Sequence, residues 1–467
     1  MRENVLMQAV TGSALTLTEV LRVGGLRSVF QPIVDLSTNG VVGYEALARG
    51  PEGELASPDR LFSIARVEGL VAELDRACRQ AAFTGAVARG VTAPLSLFVN
   101  VEPEALDAEP TRHLSAQVRE LTTGLRVVVE LTERALGTRP ADLLRNVDRI
   151  REFGWGVALD DVGAEPLSLA FMSLLRPDVV KLDLRVVQQR PDAQVAQIMN
   201  AVNAYSERSG AVILAEGIET PRHLTQARAL GATLGQGWLF GRPVADPPKV
   251  GPTTELRFSA QPAPNRHIRS PFGLLRPEHA LRRAPKSLLV QVSKHLERDA
   301  ARLGPTCLVA ATFQKAEHFT PATAARYRDL VDRVGFVCVL GAGLPADPLP
   351  GLRSADLPPG DPTRGEWDLV VLDPHFAVAL LARDLGDQGP DEDRTFEFAL
   401  TYTRPTVEQA AHTLISKLVP TPLPGADHPP LAGAAVISRR PSVLPEAGPQ
   451  RRGRPTVRCN VVKEGTA

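Results

Sequence analysis

"SVFQPIVDLSTNGVVGYEALARG", residues 28–50, holds two short apolar runs rich in β-branched residues, and the second ends on a carboxylate, Glu45, with Arg49 four residues on. Runs of this length between polar or turn-forming residues read as strands. The pattern returns in "LSLFVN" (95–100), "LRVVVEL" (125–131), "GVALD" (156–160), "DVVKLD" (178–183), "AVILAE" (211–216) and, more weakly, "GQGWLF" (235–240). Between the runs lie amphipathic segments such as 57–83 and 185–210, with Ser57 before Pro58 as a start signal and Gly210 as a stop. Strands alternating with helices make an α/β fold around a parallel sheet. Eight of them, with no GxGxxG turn after the first, favour a closed (β/α)8 barrel over a doubly wound sheet.

The rest of the chain divides by composition. Residues 1–25 form a helical lead-in, 26–243 the barrel, and 244–272 a Pro-rich linker. Residues 273–420 read as a smaller α/β domain, with strands at "TCLVAATF", "FVCVLGA", "WDLVVLD" and "TFEFALTY" and helices near 288–303, 321–334, 375–385 and 405–418. Trp367, His375, Phe396 and Phe398 there line either a pocket or, more simply, a packed core. The tail, 421–467, is dominated by Pro, Gly, Ala and Arg and cannot bury enough surface to fold alone. Its arginines suit an acidic partner or plain solvation.

Lys plus Arg (53) balance Asp plus Glu (53), which argues against a general binder of nucleic-acid polymers or membrane surfaces. Cys78, Cys307, Cys338 and Cys459 form no CxxC pair and fit a reduced, cytoplasmic setting. No apolar run approaches the roughly 18 residues of a membrane helix, and the first residues lack a secretion signal's order.

Polar residues recur at the strand ends: Glu45, Asn100, Glu130, Asp160 with Asp161, Lys181 with Asp183, and Glu216. In a barrel, the carboxyl ends of the strands share one rim, so these side chains converge. So many carboxylates stay ionised together only if cations neutralise them. Oxygen ligands without His or Cys select Mg²⁺ or Mn²⁺, and paired ions roughly 3.5–4 Å apart commonly serve phosphoester cleavage. His113 and His223, on predicted helices, are not placed as bases. Lys181 and Asp183 share one strand face, where the lysine orients a water and the aspartate holds a metal or the lysine. Arg49 suits a phosphate oxygen. Each has an ordinary alternative: Thr132 and Glu133 as a helix start, Lys181–Asp183 as a structural pair, Asp160 as a turn cap. The set, eight residues at six strand ends, is the signal.

The blocks "FQPIVDL…GYEALARG", "LFVNVEP", "VVVELTE", "VALDDVGA", "PDVVKLD", "LAEGIET" and "GQGWLFGRP", in this order over 26–243, resemble the signature blocks of the EAL domain family of bacterial cyclic-di-GMP phosphodiesterases. The resemblance implies a TIM-like barrel of EAL type in which two Mg²⁺ or Mn²⁺ ions drive hydrolysis of cyclic di-GMP to linear pGpG. It implies Glu45, Asn100, Glu130 and Asp160 as ligands of one metal and Asp160, Asp161 and Glu216 at the second, with Asp183 supporting or ligating. By the same resemblance Lys181, Glu216, Glu45 and Asp161 would carry catalysis, with Lys181 positioning the attacking water. It likewise implies that Gln31, Leu47, Arg49 and Gln236 contact the dinucleotide and that Glu133 and Glu219 brace the site. A homodimer is also implied. The family's "FGTGYSS" loop is here "VGAEPLSL", where Glu165 and Pro166 stiffen the chain. That departure keeps open a receptor or scaffold that binds cyclic di-GMP without turnover. The blocks "KAEHFTPATAARYRDL", "GEWDLVVLDPHFAVALLARD" and "RTFEFALTYTRPTVEQAAHTLI" are similar to the DICT sensory domain, whose signal or protein partner no motif names.

Overall fold

The computed structural model describes residues 15–102, 105, 118–132, 136–137, 139–248, 255–258, 268–387 and 390–418. The expected tail, much of the linker, His113, Glu133 and Cys459 lie outside them. Eight strands close into a barrel in chain order: β1 (Arg27–Asp35), β2 (Val41–Arg49), β3 (Ser96–Val101), β4 (Arg126–Leu131), β5 (Gly156–Val162), β6 (Val179–Leu182), β7 (Val212–Ala215) and β8 (Leu234–Gln236).

The barrel is not wholly parallel, as the alternating pattern had suggested. β1 runs antiparallel to both β2 and β8, while neighbours from β2 to β8 are parallel. The connection from β1 to β2 is a turn with Asn39 at φ 57, far too short for the dozen or more residues that a parallel crossover needs. Gly43 of β2 is required by contact: a Cβ there would stand 2.3 Å from the Ser96 carbonyl oxygen of β3.

Helices cover the barrel. After a lead-in helix α1 (Leu17–Val23), segment 57–83 breaks at Gly69, left-handed at φ 70, into helix α2 (Pro58–Glu68), capped by Ser57, and α3 (Val71–Ala88). Next come α4 (Pro140–Glu152), α5 (Leu167–Leu175), α6 (Leu184–Gln188), α7 (Ala193–Ser209) and α8 (Pro221–Ala229). Asp192 caps α7 and Gly210 ends it at φ 72.

Strand alternation fills the barrel in layers. One buried apolar layer takes Ile33, Val42, Phe98, Val128, Ala158, Val179, Leu214 and Leu234, one residue from each strand. Two residues further towards the carboxyl ends, β3 to β8 present Asn100, Glu130, Asp160, Lys181, Glu216 and Gln236. The floor of the site is therefore a hydrophobic plug.

The second sheet has seven strands in the order β12 (Arg353–Asp356), β11 (Phe336–Ala342), β10 (Leu308–Lys315), β13 (Glu366–Leu372), β14 (Ala377–Asp384), β15 (Thr395–Thr401) and β9 (Arg282–Pro285). Helices α9 (Lys286–Leu303) and α10 (Pro321–Arg333) cover one face over a core that includes Leu289, Tyr327, Val371 and Phe396. The helix expected near 375–385 is instead β14, paired on both sides with β13 and β15. "AVALLARD" suits a helix by composition, but Asp373 accepts from His375 N (3.0 Å) and turns the chain straight back onto β13. The short edge strands β9 and β12 carry no periodic signal and were not anticipated. Phe396 and Phe398 are core, as the simpler reading had it, whereas Trp367 is half-buried.

The other sheet face carries α11 (Arg404–Ile415), which also packs on α4 and α5 of the barrel. A single buried core runs through both: Phe171 of α5 meets Phe336 of β11 edge-on, with ring centroids 4.9 Å apart. Arg353 of β12 donates to the Gly137 carbonyl in the segment after β4 (3.1 Å).

Candidate functional site

Lys181 Nζ lies at the centre of the polar layer, 1% exposed, 2.7 Å from Glu130 Oε1, 2.8 Å from Asp160 Oδ1 and 2.7 Å from Glu216 Oε1. Around it, Glu45 accepts from Asn100 Nδ2 (3.0 Å) and Gln236 Nε2 (2.6 Å), and Gln236 also donates to Gln31 Oε1 (3.2 Å). Gln31 reaches this ring because the antiparallel β1 sets it directly across from Glu45. Leu47 and Arg49 continue the Glu45 face of β2 outward, half-buried, and the Arg49 guanidinium donates to the Ala48 carbonyl (2.7 Å).

Asp160 and Asp161 are adjacent in sequence and should point to opposite faces of a regular strand. The β5–β6 register slips between Leu159 and Val162, and Asp161 takes φ 55, a left-handed conformation uncommon outside glycine. That irregularity lets oxygens of Asp160, Asp161 and Glu216 lie within 4.8 Å of one another.

Two expectations come out differently. Asp183 does not touch Lys181: β6 ends at Leu182, and Asp183 turns away to cap α6, accepting from Arg185 N (2.7 Å) and pairing with the Arg185 guanidinium (2.9 Å). Alternation ends where the strand ends. Glu219 is exposed on the loop after β7, with its backbone N–H donating to His223 Nδ1 (3.3 Å). Both border the site without entering the ring.

The electrostatics follow from burial. Desolvation, with Glu45 and Asp160 close by, raises the Glu130 pKa well above the ordinary carboxylate value against the pull of Lys181. Desolvation pushes Glu216 up to about 8, and desolvation with the neighbouring Asp160 and Asp183 charges pushes Asp161 up to about 6. Burial works against the Lys181 charge, but Asp160, Glu130, Glu216 and Glu45 together outweigh it, so the ammonium is held charged. Lys181 thus faces the carboxylates of Asp160, Glu130, Glu216 and Glu45 at once, with Asp161 beside them.

Whether these residues suit a metal can be read from their atoms. Glu130 Oε2 is fully buried with no hydrogen-bond partner among the described residues, an expensive orphan unless a cation meets it. The donor set is all oxygen, as hard divalent ions require. The ring therefore fits such an ion. Above it opens a cavity of about 380 Å³ whose mouth holds Trp238, half-exposed, with the Arg242 guanidinium 4.0 Å from its ring centroid. This stacked pair was missed in the sequence; its signal was an exposed aromatic with a cation four residues on in "WLFGR".

A family model described as the EAL domain matches residues 14–243, and one described as "Sensory domain in DIguanylate Cyclases and Two-component system", DICT, matches 273–385. Residues 14–243 are an EAL domain. Curated relatives similar to it include the cyclic di-GMP phosphodiesterase RocR of Pseudomonas aeruginosa, 29% identical over 48% of this chain and 58% of that protein. NbdA of the same organism, also named a cyclic di-GMP phosphodiesterase, is 31% identical over 49% of this chain and 30% of its own. PdeB of Escherichia coli, a probable cyclic di-GMP phosphodiesterase, is 29% identical over 46% and 42%. The chain thus spans less than two thirds of each. No helix among the described residues of the EAL or DICT domain is long and apolar enough to cross a membrane.

Proposed function

We propose that the EAL domain hydrolyses one phosphodiester of cyclic di-GMP to give linear pGpG, using two Mg²⁺ or Mn²⁺ ions. The observation that carries this reading is the layer of Glu45, Asn100, Glu130, Asp160, Asp161 and Glu216 around Lys181, with one buried carboxylate oxygen left unpartnered. The names of the relatives agree with it.

Glu45, Asn100, Glu130 and Asp160 would hold one ion, and Asp160, Asp161 and Glu216 the other. Bound there, divalent ions supply neutralising charge and Lewis acidity toward phosphate and water. Lys181, pinned from three sides and permanently charged, has N–H groups to hold and orient the attacking water once the carboxylates turn to cations. Gln31, Gln236, Leu47 and Arg49 line the way in and would seat the dinucleotide, with Arg49 on a phosphate oxygen. Glu133, Glu219 and Asp183 take supporting roles in this proposal.

The C-terminal domain is the regulator in this reading. It packs on α4 and α5, the helices that follow the strands carrying Glu130 and Asp160–Asp161, so a shift of α11 acts on both ligand strands through one core. A receptor without turnover is the second reading, favoured by the loop after Asp161: Pro166, at φ −63, leads directly into α5 and leaves it little freedom.

A time course of cyclic di-GMP with the purified chain in Mg²⁺ or Mn²⁺, with products separated by chromatography, decides between them. We expect pGpG from the unmutated chain, none from Glu45→Ala, and weakened substrate binding from Arg49→Ala. Full activity in Glu45→Ala defeats the site assignment, and binding without product makes the protein a receptor. The mass in solution tests the homodimer.

A further inference from the structure

The DICT domain holds a second cavity, about 430 Å³, between the sheet and helices α9 and α10, on the face away from the barrel. That volume falls in the range of small-molecule sites. Alternation along β10 and β13 aims Phe313 and Trp367 at this face, and Tyr327 of α10 closes the side. Each ring is fixed. Trp367 Nε1 donates to Ser293 Oγ (3.1 Å), and Phe313 meets Tyr327 and Phe319 edge-on, with centroids 5.6 and 5.3 Å apart. The cavity is thus lined by held aromatic surface before anything binds.

Its charges are mostly spoken for. Arg326 pairs with the buried Glu297 (2.9 Å), and Lys286 pairs with Asp391. Lys294 is different: it lines the cavity, half-buried, one helical turn from Val290 and Glu297, and has no ion-pair or hydrogen-bond partner among the described residues. Two further acids line it: Glu317 is exposed to water at the rim, and Asp368, buried beside Thr312 and Glu366, has its pKa raised well above the ordinary carboxylate value by burial and by Glu366, which favours its uncharged form. Flat apolar walls with one half-buried, uncompensated cation suit a ligand that is planar, aromatic and anionic.

We infer that this cavity is a binding site for a small aromatic carboxylate, its ring against Trp367 and Phe313 and its carboxylate on Lys294. The site is separated from α11, and so from the barrel contact, by a single sheet whose strands β10 and β13 touch both. Binding itself does not depend on whether the barrel hydrolyses anything.

The full chain is titrated with benzoate, 4-hydroxybenzoate and indole-3-acetate, with benzylamine and tyramine as cationic counterparts, by calorimetry and tryptophan fluorescence. The expected result is saturable binding of at least one carboxylate and none of the amines, weakened about tenfold or more by Lys294→Gln and by Val290→Phe, which fills the cavity. The fluorescence change should vanish in Trp367→Phe while circular dichroism stays that of the unmutated chain. Absence of binding by all three carboxylates, amines binding as tightly as acids, or full affinity in Lys294→Gln each overturns the inference.

Discussion

Replacing Lys181 by Met removes the ammonium at the centre of a buried ring of carboxylates and leaves the side-chain volume nearly unchanged. Three carboxylate oxygens lie within 2.8 Å of Nζ, which is 1% exposed. At an effective dielectric near 20, each unit-charge pair at about 4 Å is worth about 4 kcal/mol, but desolvation of every ion costs several kcal/mol in return. Removing one partner of such a buried cluster typically costs about 3–5 kcal/mol, because the charges left behind have nothing to face. A divalent ion should replace much of what is lost: at about a hundredfold excess over its dissociation constant, it stabilises the folded state by about 2.7 kcal/mol. Guanidinium denaturation of both proteins, in chelator and then in excess Mg²⁺ or Mn²⁺, reads these terms directly. We expect Lys181→Met in chelator to lie about 3–5 kcal/mol below the unmutated protein in chelator, metal to bring the mutant back by about 2.7 kcal/mol toward that same chelator reference, and no hydrolysis by the mutant in either case. A loss under about 1 kcal/mol, or one indifferent to divalent ions, refutes the idea that this ring is held together by its cations.

Stability of the chelated protein should fall as pH rises from about 5 to about 8, because Glu216 (about 8) and Asp161 (about 6) bind protons more tightly folded than unfolded. That stabilisation is complete below their ordinary values of 4.5 and 3.8 and is lost as pH passes through the raised ones; saturating Mg²⁺ should flatten the slope, as denaturation midpoints across pH will show. Phe171→Ala removes a fully buried ring between the two sheets and should cost about 3–5 kcal/mol. Combined with Phe336→Ala in a double-mutant cycle it should show a coupling of about 0.5–1.5 kcal/mol, and strict additivity would deny the contact.

The barrel and its polar layer were legible in the sequence because strand alternation is a local rule. Phe98 and Asn100, Val128 and Glu130, Ala158 and Asp160, Val179 and Lys181 are each two residues apart, and a parallel barrel turns that spacing into a plug with a ring above it. The same rule misled at Asp183, since it holds only while the strand lasts. What depended on partners could not be read locally. The antiparallel β1 puts Gln31 across from Glu45, the left-handed Asp161 turns two successive carboxylates to one site, and "AVALLARD" becomes a strand because two neighbours offer it hydrogen bonds on both sides. The docking of α11 on α4 and α5 belongs to the tertiary structure alone, as does the choice of Trp367, out of the aromatic residues the sequence offered for a pocket, to line a cavity beside the unpaired Lys294. The sequence by itself determined which residues carry charge into the barrel; only the fold decided which charges face one another, because Coulombic and packing terms depend on distances that local spacing does not set.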